Sequence, residues 1–284
     1  MKAPDFGYAR PASLDEALAL LARHGEDARP LAGGQSLVTA LNMRLSAPAL
    51  LVDLNHLPEP TGISEQDGIV RIGAMTRHRE LGSAALVRER CPLLATAVPF
   101  IAHPAIRNRG TIGGSLALGD PATELPACCL ALGATMVVAS PAGERRVAAD
   151  DFFLGLYETA LQPGDILVAV EVPSAGPDSV FGFDELARRH GDYALAGLAA
   201  SARRTAAGLT DVRLAFFGVA DRPVLAAAAA RALERGNVRA AQDALADEID
   251  PADDVAVRGT TRRHLARVLL GRVAGRMLGE QDGA

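Results

Sequence analysis

Two stretches of paired glycines constrain most strongly what this 284-residue chain can become. The first is Leu31-Ala32-Gly33-Gly34-Gln35-Ser36-Leu37, and the second is Arg109-Gly110-Thr111-Ile112-Gly113-Gly114-Ser115-Leu116. Each joins adjacent glycines to a serine and then to apolar, helix-compatible residues. Glycine reaches positive φ freely and has no Cβ to hold a ligand off the backbone. A helix starting just beyond leaves free N–H groups pointing out of the turn, where anions are favoured. One such loop reads equally well as a tight connection. Two of one pattern, far apart in the chain, predict two walls of a phosphate-bearing site. Ser36, Thr111 and Ser115 add hydroxyls that can donate to phosphate oxygens. Neither stretch is Gly-x-Gly-x-x-Gly or carries a Walker lysine, which argues against a Rossmann domain or a P-loop.

Composition narrows the partners. A net charge of −5 gives no basic field for nucleic acid or an anionic membrane. Cys91, Cys128 and Cys129 are too few for a disulfide framework, and no Cys-x-x-Cys pair is present to ligate an iron–sulfur cluster or structural zinc. The longest mostly apolar stretch, Leu125–Ala139, is too short to span a bilayer, and the chain opens without an apolar signal segment. A cytoplasmic location is the expectation.

Local signals give an order of elements. Ser13 and Glu16 form a capping box for a helix that Gly25 ends. Ala28–Ala32 reads as a strand into the first glycine turn, and a second helix from Ser36 carries Leu37, Leu41 and Leu45 on one side. Ala49–Leu54 is a buried-type strand. Hairpins are expected at 63–72 and 135–147. Thr76 is expected to cap a short helix, Leu93–Phe100 to form another, and Pro121 to open a helix through Leu132. Asp151–Gly155 reads as a helical turn and Asp165–Val172 as a strand. Beyond the Ser174–Asp178 breaker, Phe181–Leu186, Leu195–Arg203 and Val212–Gly218 read as antiparallel strands. Helices follow at Val224–Arg235, Val238–Ala246 and about Val257–Leu278.

Two further clusters stand out. Asp120 and Glu124 flank Pro121, where they can accept from ribose or ribityl hydroxyls or simply cap a helix. In Arg188-Arg189-His190-Gly191-Asp192-Tyr193-Ala194, Tyr193 can lie against a flat ring, or the stretch is a solvated turn. No Ser/His/Asp or Cys/His arrangement is readable, so a hydrolase has no support.

More residues extend the pattern: Asn42-Met43-Arg44-Leu45, Asp53, Ile106-Arg107-Asn108, Asp120 through Pro126, Asp151 through Gly155, Thr159-Ala160-Leu161 and Arg188 through Ala194. In this order, over nearly the whole chain, they resemble the FAD-binding (medium) subunit of the molybdenum hydroxylases. That family includes the carbon monoxide dehydrogenase medium subunit and the flavin domain of xanthine dehydrogenase. The resemblance implies an α+β fold: a two-part FAD-binding domain of the PCMH type, then a smaller α+β C-terminal domain with a three-stranded antiparallel sheet plus helices. The FAD-binding domain would cover 1–175, in subdomains of about 1–56 and 57–175, and the C-terminal domain 176–284.

It further implies non-covalent FAD, its diphosphate held by Leu31, Ala32, Gly33, Gly34, Gln35, Ser36 and Leu37 and by Gly110, Thr111, Ile112, Gly113, Gly114 and Ser115. Ile101, Ala102, Asp120, Glu124 and Leu167 would make further contacts, with Tyr193 near the ring. No catalytic residue and no metal ligand is implied on this chain. Electrons would arrive from a molybdopterin-binding large subunit through [2Fe–2S] clusters of a small subunit, in a heterotrimer or its dimer. The chain would pass them to an outside acceptor. Gln35 stands where some relatives have His, Ser115 where many have Asn, and Asp184 where some have Lys. The cysteine-rich loop of the benzoyl-CoA-type branch is missing. A stand-alone flavin oxidoreductase and a flavin-free assembly subunit are the alternative readings.

Overall fold

The computed structural model describes residues 2–255 and 257–279. Its first unit grows from local signals. Ser13 Oγ accepts from the Glu16 N–H at 3.2 Å, a cap that contributes about 1 kcal/mol to the helix Leu14–His24. The Glu16 carboxylate reaches one residue beyond the usual capping box and accepts from the Ala12 N–H at 2.7 Å. Strands β1 (Gly7–Ala9), β2 (Ala28–Leu31) and β3 (Leu50–Asp53) run parallel in the order β1-β3-β2. Parallel neighbours need crossovers, which Leu14–His24 and the helix Leu37–Asn42 supply. The second helix stops at Asn42, so Leu45 does not extend the Leu37–Leu41 stripe. Arg44 turns the chain with a left-handed φ of 59°, and Leu45 stands 76 % exposed.

The next strands are β4 (Ile63–Gln66), β5 (Ile69–Gly73), β6 (Thr135–Ser140), β7 (Gly143–Ala148), β8 (Phe153–Gly155), β9 (Glu158–Thr159) and β10 (Ile166–Pro173). Five of them form a sheet in the order β4-β5-β10-β6-β7, and β8 pairs with β9 alone. Val70, Ile72, Val138 and Val170 pack into the main core with Leu93, Leu94 and Leu125, while Val137, Ala139, Ile166 and Val168 pack against the first unit. Burial on both faces explains why Ile166–Val170 reads as an unbroken apolar run. Three local expectations shift here. Thr76 does not cap; Arg77 is the N-cap of His78–Ser83, and the Thr76 hydroxyl is buried without a partner. The helix expected from Pro121 starts at Glu124, because Asp120–Thr123 closes a turn in which Thr123 Oγ1 donates to the Asp120 carbonyl at 2.8 Å. Asp151–Gly155 divides between a one-turn helix, Ala149–Phe152, and β8.

The last sheet holds β11 (Ser179–Ala187), β12 (Ala194–Thr205) and β13 (Gly208–Phe217), antiparallel, with the two-residue β14 (Val224–Leu225) as a fourth strand. Val224 and Leu225 pair with Phe216 and Ala215, so the helix expected from Val224 begins at Ala227. Side chains alternate across this sheet. Leu198, Ala200, Leu214 and Phe216 meet the C-terminal helices, whereas Ala199, Ala215 and Phe217 join the main core. The helix Gly259–Leu278 buries Leu269, Leu270, Val273 and Met277. All three cysteines are free and buried, and burial drives the Cys91 and Cys129 thiols up to about 12. No helix among the described residues is long and apolar enough to cross a membrane.

Candidate functional site

The two glycine loops touch. A Cβ built on Gly33 would lie 2.3 Å from the Arg109 carbonyl oxygen and 2.8 Å from the Gly110 Cα. That backbone-to-backbone approach is open only to glycine. Gly34 takes a φ of 73°, which turns the chain from β2 toward the helix Leu37–Asn42. Across the gap, Gly114 faces Ala32, whose Cβ would be 3.6 Å from a Cβ at 114. Among the described residues, the N–H groups of Gly33, Gly34, Gln35 and Ser36 donate to no backbone acceptor. Leu31 through Gln35 line a cleft of about 390 Å³ together with Tyr8, Asp53, Asn55 and Arg109. Unspent donors on the first wall, and glycines without a Cβ on both, make a cradle that suits a diphosphate. The N–H groups of Gly110, Ile112, Gly113, Gly114 and Ser115 on the second wall already donate within the chain. Thr111 contributes differently from the sequence expectation. Its hydroxyl is buried and caps the helix Ile112–Leu118, accepting from the Gly114 N–H at 3.0 Å.

A second layer supports the loops. Asn55 Nδ2 donates to the Ala32 carbonyl at 2.9 Å, and Asn55 Oδ1 accepts from Arg77 Nη2. Arg77 Nη1 donates in turn to the Arg109 carbonyl. The buried Asp53 carboxylate receives the Asn55 N–H at 2.9 Å and also the Tyr8 hydroxyl. Below Gly110 lies the buried His78 imidazole, and burial lowers its pKa to about 4, which keeps it neutral at pH 7.

The helix Ile112–Leu118 leads from the loop to an acidic end, Thr111 and Gly119 being about 12 Å apart at the helical rise. Asp120 and Glu124 are both buried there. Burial, with Asp120 adding, pushes Glu124 up to about 7. Burial, with Glu124 and Asp184 adding, pushes Glu185 up to about 8. Tyr157 Oη donates to Asp120 at 3.5 Å, and the exposed Tyr193 also faces that carboxyl. Glu124 and Glu185, raised to about 7 and about 8, can keep protons, and so donate hydrogen bonds, at neutral pH. A carboxyl raised on folding stabilises fully below its ordinary range and loses that contribution as pH rises through its folded value. Glu185→Gln is therefore expected to raise stability at about pH 8, by about 1–2 kcal/mol because solvent reaches part of the side chain. The gain should vanish toward about pH 4.5. Denaturant melts at the two pH values check this; a gain that grows in acid would contradict it.

Residues 4–175 match the family described as FAD binding domain in molybdopterin dehydrogenase, and residues 181–277 match the CO dehydrogenase flavoprotein C-terminal domain. The chain belongs to the FAD-binding medium subunits of the molybdenum hydroxylases. The carbon monoxide dehydrogenase medium chain of Hydrogenophaga pseudoflava is 39 % identical over 257 residues, covering 89 % of this chain and 90 % of that one. The 6-hydroxypseudooxynicotine dehydrogenase complex subunit alpha of Paenarthrobacter nicotinovorans is 46 % identical over 199 residues, 70 % of this chain and 67 % of that one. A solved structure of the Hydrogenophaga pseudoflava carbon monoxide dehydrogenase superposes with a TM-score of 0.96 at 38 % identity, covering 99 % of this chain and all of its counterpart. This medium subunit is thus a flavoprotein subunit of the oxidoreductase class.

In this medium subunit, Leu31 through Gln35 and Gly110 through Ser115 are brought together. Ser36 is the N-cap of the helix Leu37–Asn42, without a cap bond from its side chain. Ile101 and Ala102 lie on a loop whose carbonyls accept from Arg107 Nη1 at 2.8 and 3.0 Å. Gly191, in the turn that carries Tyr193, rests on that loop: its Cβ would lie 2.7 Å from the Ala102 carbonyl oxygen. Leu167 is buried in the core shared with Ile101 and Ile112, beside a bulge in β10. Sequence reasoning missed Asn55, Arg77, Tyr157 and Glu185 as site residues. Asn55 had one usable signal, two residues past Asp53 at a strand end; the others sit in segments with no distinguishing pattern.

Proposed function

We propose that this chain is the electron relay of a molybdenum hydroxylase. It accepts electrons from [2Fe–2S] clusters on a small partner subunit and hands them to an external acceptor. Substrate chemistry would belong to a molybdopterin-bearing large subunit, in a heterotrimer or its dimer, in the cytoplasm. One observation carries the cofactor part: two glycine walls in contact, the first with unspent N–H donors, at one end of a helix whose other end holds buried carboxyls. The glycine loops, Leu31 through Leu37 and Gly110 through Ser115, would hold the FAD diphosphate. Asp120 and Glu124 would meet ribityl hydroxyls, and Ile101, Ala102 and Leu167 would pack on the nucleotide. Tyr193 would lie by the ring. FAD supplies the redox chemistry when bound; the chain's residues bind it, orient it and keep its polar atoms paired. The FAD-binding domain would end, and the C-terminal domain begin, near Gly176; the two matched segments, 4–175 and 181–277, support that reading.

Co-expression with its partner subunits is the test. The complex is expected to carry acid-releasable FAD at one per copy of this chain, with molybdopterin and iron–sulfur signals from the other subunits. A colourless chain within an assembled complex would overturn the reading. Steady substrate turnover by the isolated chain would favour a stand-alone oxidoreductase instead.

A further inference from the structure

The two glycine loops arise from different sheets, one after β2 and one after β5 and its following helices. Among the described residues, no backbone hydrogen bond links Leu31–Leu37 with Arg109–Ser115. What joins them is a side-chain bridge. Asn55 holds the Ala32 carbonyl and the Arg77 guanidinium at once, and Arg77 holds the Arg109 carbonyl. Asp53 fixes Asn55 from behind, and Tyr8 fixes Asp53. We propose that Asn55 and Arg77 are positioning residues that set the spacing between the two walls of the diphosphate cradle. The proposal rests on the FAD reading above.

Residue chemistry limits what can stand at these positions. Asn55 must donate to a carbonyl and accept from a guanidinium, which an amide does and a carboxylate does not. Arg77 must donate to two acceptors in different directions; a lysine presents one compact charge and satisfies them less well. Arg77 reaches the loops through the Arg109 carbonyl and Asn55, so its effect on a ligand is geometric; Asn55 acts through the Ala32 carbonyl and also borders the cleft. The alternating direction of an extended chain adds a second support. Arg77 has extended φ and ψ, sends its side chain to the bridge, and is followed by His78, whose imidazole lies under Gly110.

The test uses the full chain, freed of flavin and titrated with FAD. Wild type binds. Asn55→Ala and Arg77→Met each weaken binding by about 10- to 100-fold, the range for lost hydrogen bonds to charged or buried groups. The double variant binds no worse than the weaker single one, because either change breaks the same bridge. Arg77→Lys falls between wild type and Arg77→Met. At saturating FAD, the phosphorus resonances of the bound diphosphate shift in the bridge variants. They stay at wild-type positions in Leu269→Ala, a stability control in the remote C-terminal core. Should Arg77→Met fail to fold, Arg77→Lys carries the same readouts. Wild type that binds no FAD overturns the cofactor reading itself. Wild-type binding alongside variants of unchanged affinity and unshifted phosphorus resonances overturns the bridge, as do losses that simply add in the double variant.

Discussion

Gly114→Asp is expected to leave the chain folded and to abolish its use of FAD. A Cβ at 114 meets only the Thr111 hydroxyl at 2.9 Å and the Ala32 Cβ at 3.6 Å, contacts that a small shift of one hydroxyl relieves. An aspartate in the first turn of Ile112–Leu118 also suits the helix dipole, so folding carries little penalty. Ligand binding pays instead. The new carboxylate enters the gap facing Ala32, where the diphosphate would lie, and takes its space while repelling its charge. Affinity should fall by at least about a thousandfold, a cost typical of an unpaired charge held out of water. FAD titration beside a thermal melt reads both quantities. Normal flavin content in this variant would contradict the site.

Gly33→Ala is expected to damage affinity and stability together. Its Cβ would meet the Arg109 carbonyl oxygen at 2.3 Å and the Gly110 Cα at 2.8 Å, both main-chain atoms with no rotamer to yield. The loops must part, at a cost of about 1–3 kcal/mol for overpacking. That corresponds to a Tm lower by about 2–10 °C in a protein of this size. Parting the walls also spoils the spacing of the N–H donors, so FAD affinity should fall by about a hundredfold. The contrast between Gly33→Ala and Gly114→Asp separates a glycine needed for loop contact from one needed for ligand space. Equal melting temperatures for Gly33→Ala and wild type would show that the walls do not meet.

Local signals were legible where one residue type meets one physical need. Ser13 at a cap, Gly25 past a helix end and the Ser140-Pro141-Ala142-Gly143 turn each sit where the sequence places them. The paired glycines read from sequence as two walls open to a ligand; only the fold shows that Gly33 packs on Arg109 and Gly110. Errors occurred where tertiary context overrides propensity. Val224 and Leu225 lead an Ala-rich run that reads as helix but are taken up as an edge strand by β13, and Leu45 continues a stripe that Arg44 breaks. The bridge was illegible for a different reason. Asn55 and Arg77 are far from both loops in sequence and act on main-chain carbonyls, which leave no mark on the residues they hold. The rise of Glu185 likewise depends on its burial and on β11 bringing it near Glu124, a long-range approach that no local pattern encodes.

The relay role is tested most directly by rapid mixing of the assembled complex with a substrate. Carbon monoxide, purines, N-heterocycles and aldehydes form the panel from which that substrate is taken. In wild type, the iron–sulfur absorbance should bleach first and the flavin absorbance should follow, with acceptor reduction tracking the flavin. In a complex carrying Gly114→Asp, iron–sulfur bleaching should persist while acceptor reduction is lost. Acceptor reduction at the wild-type rate in that flavin-free complex would contradict the account.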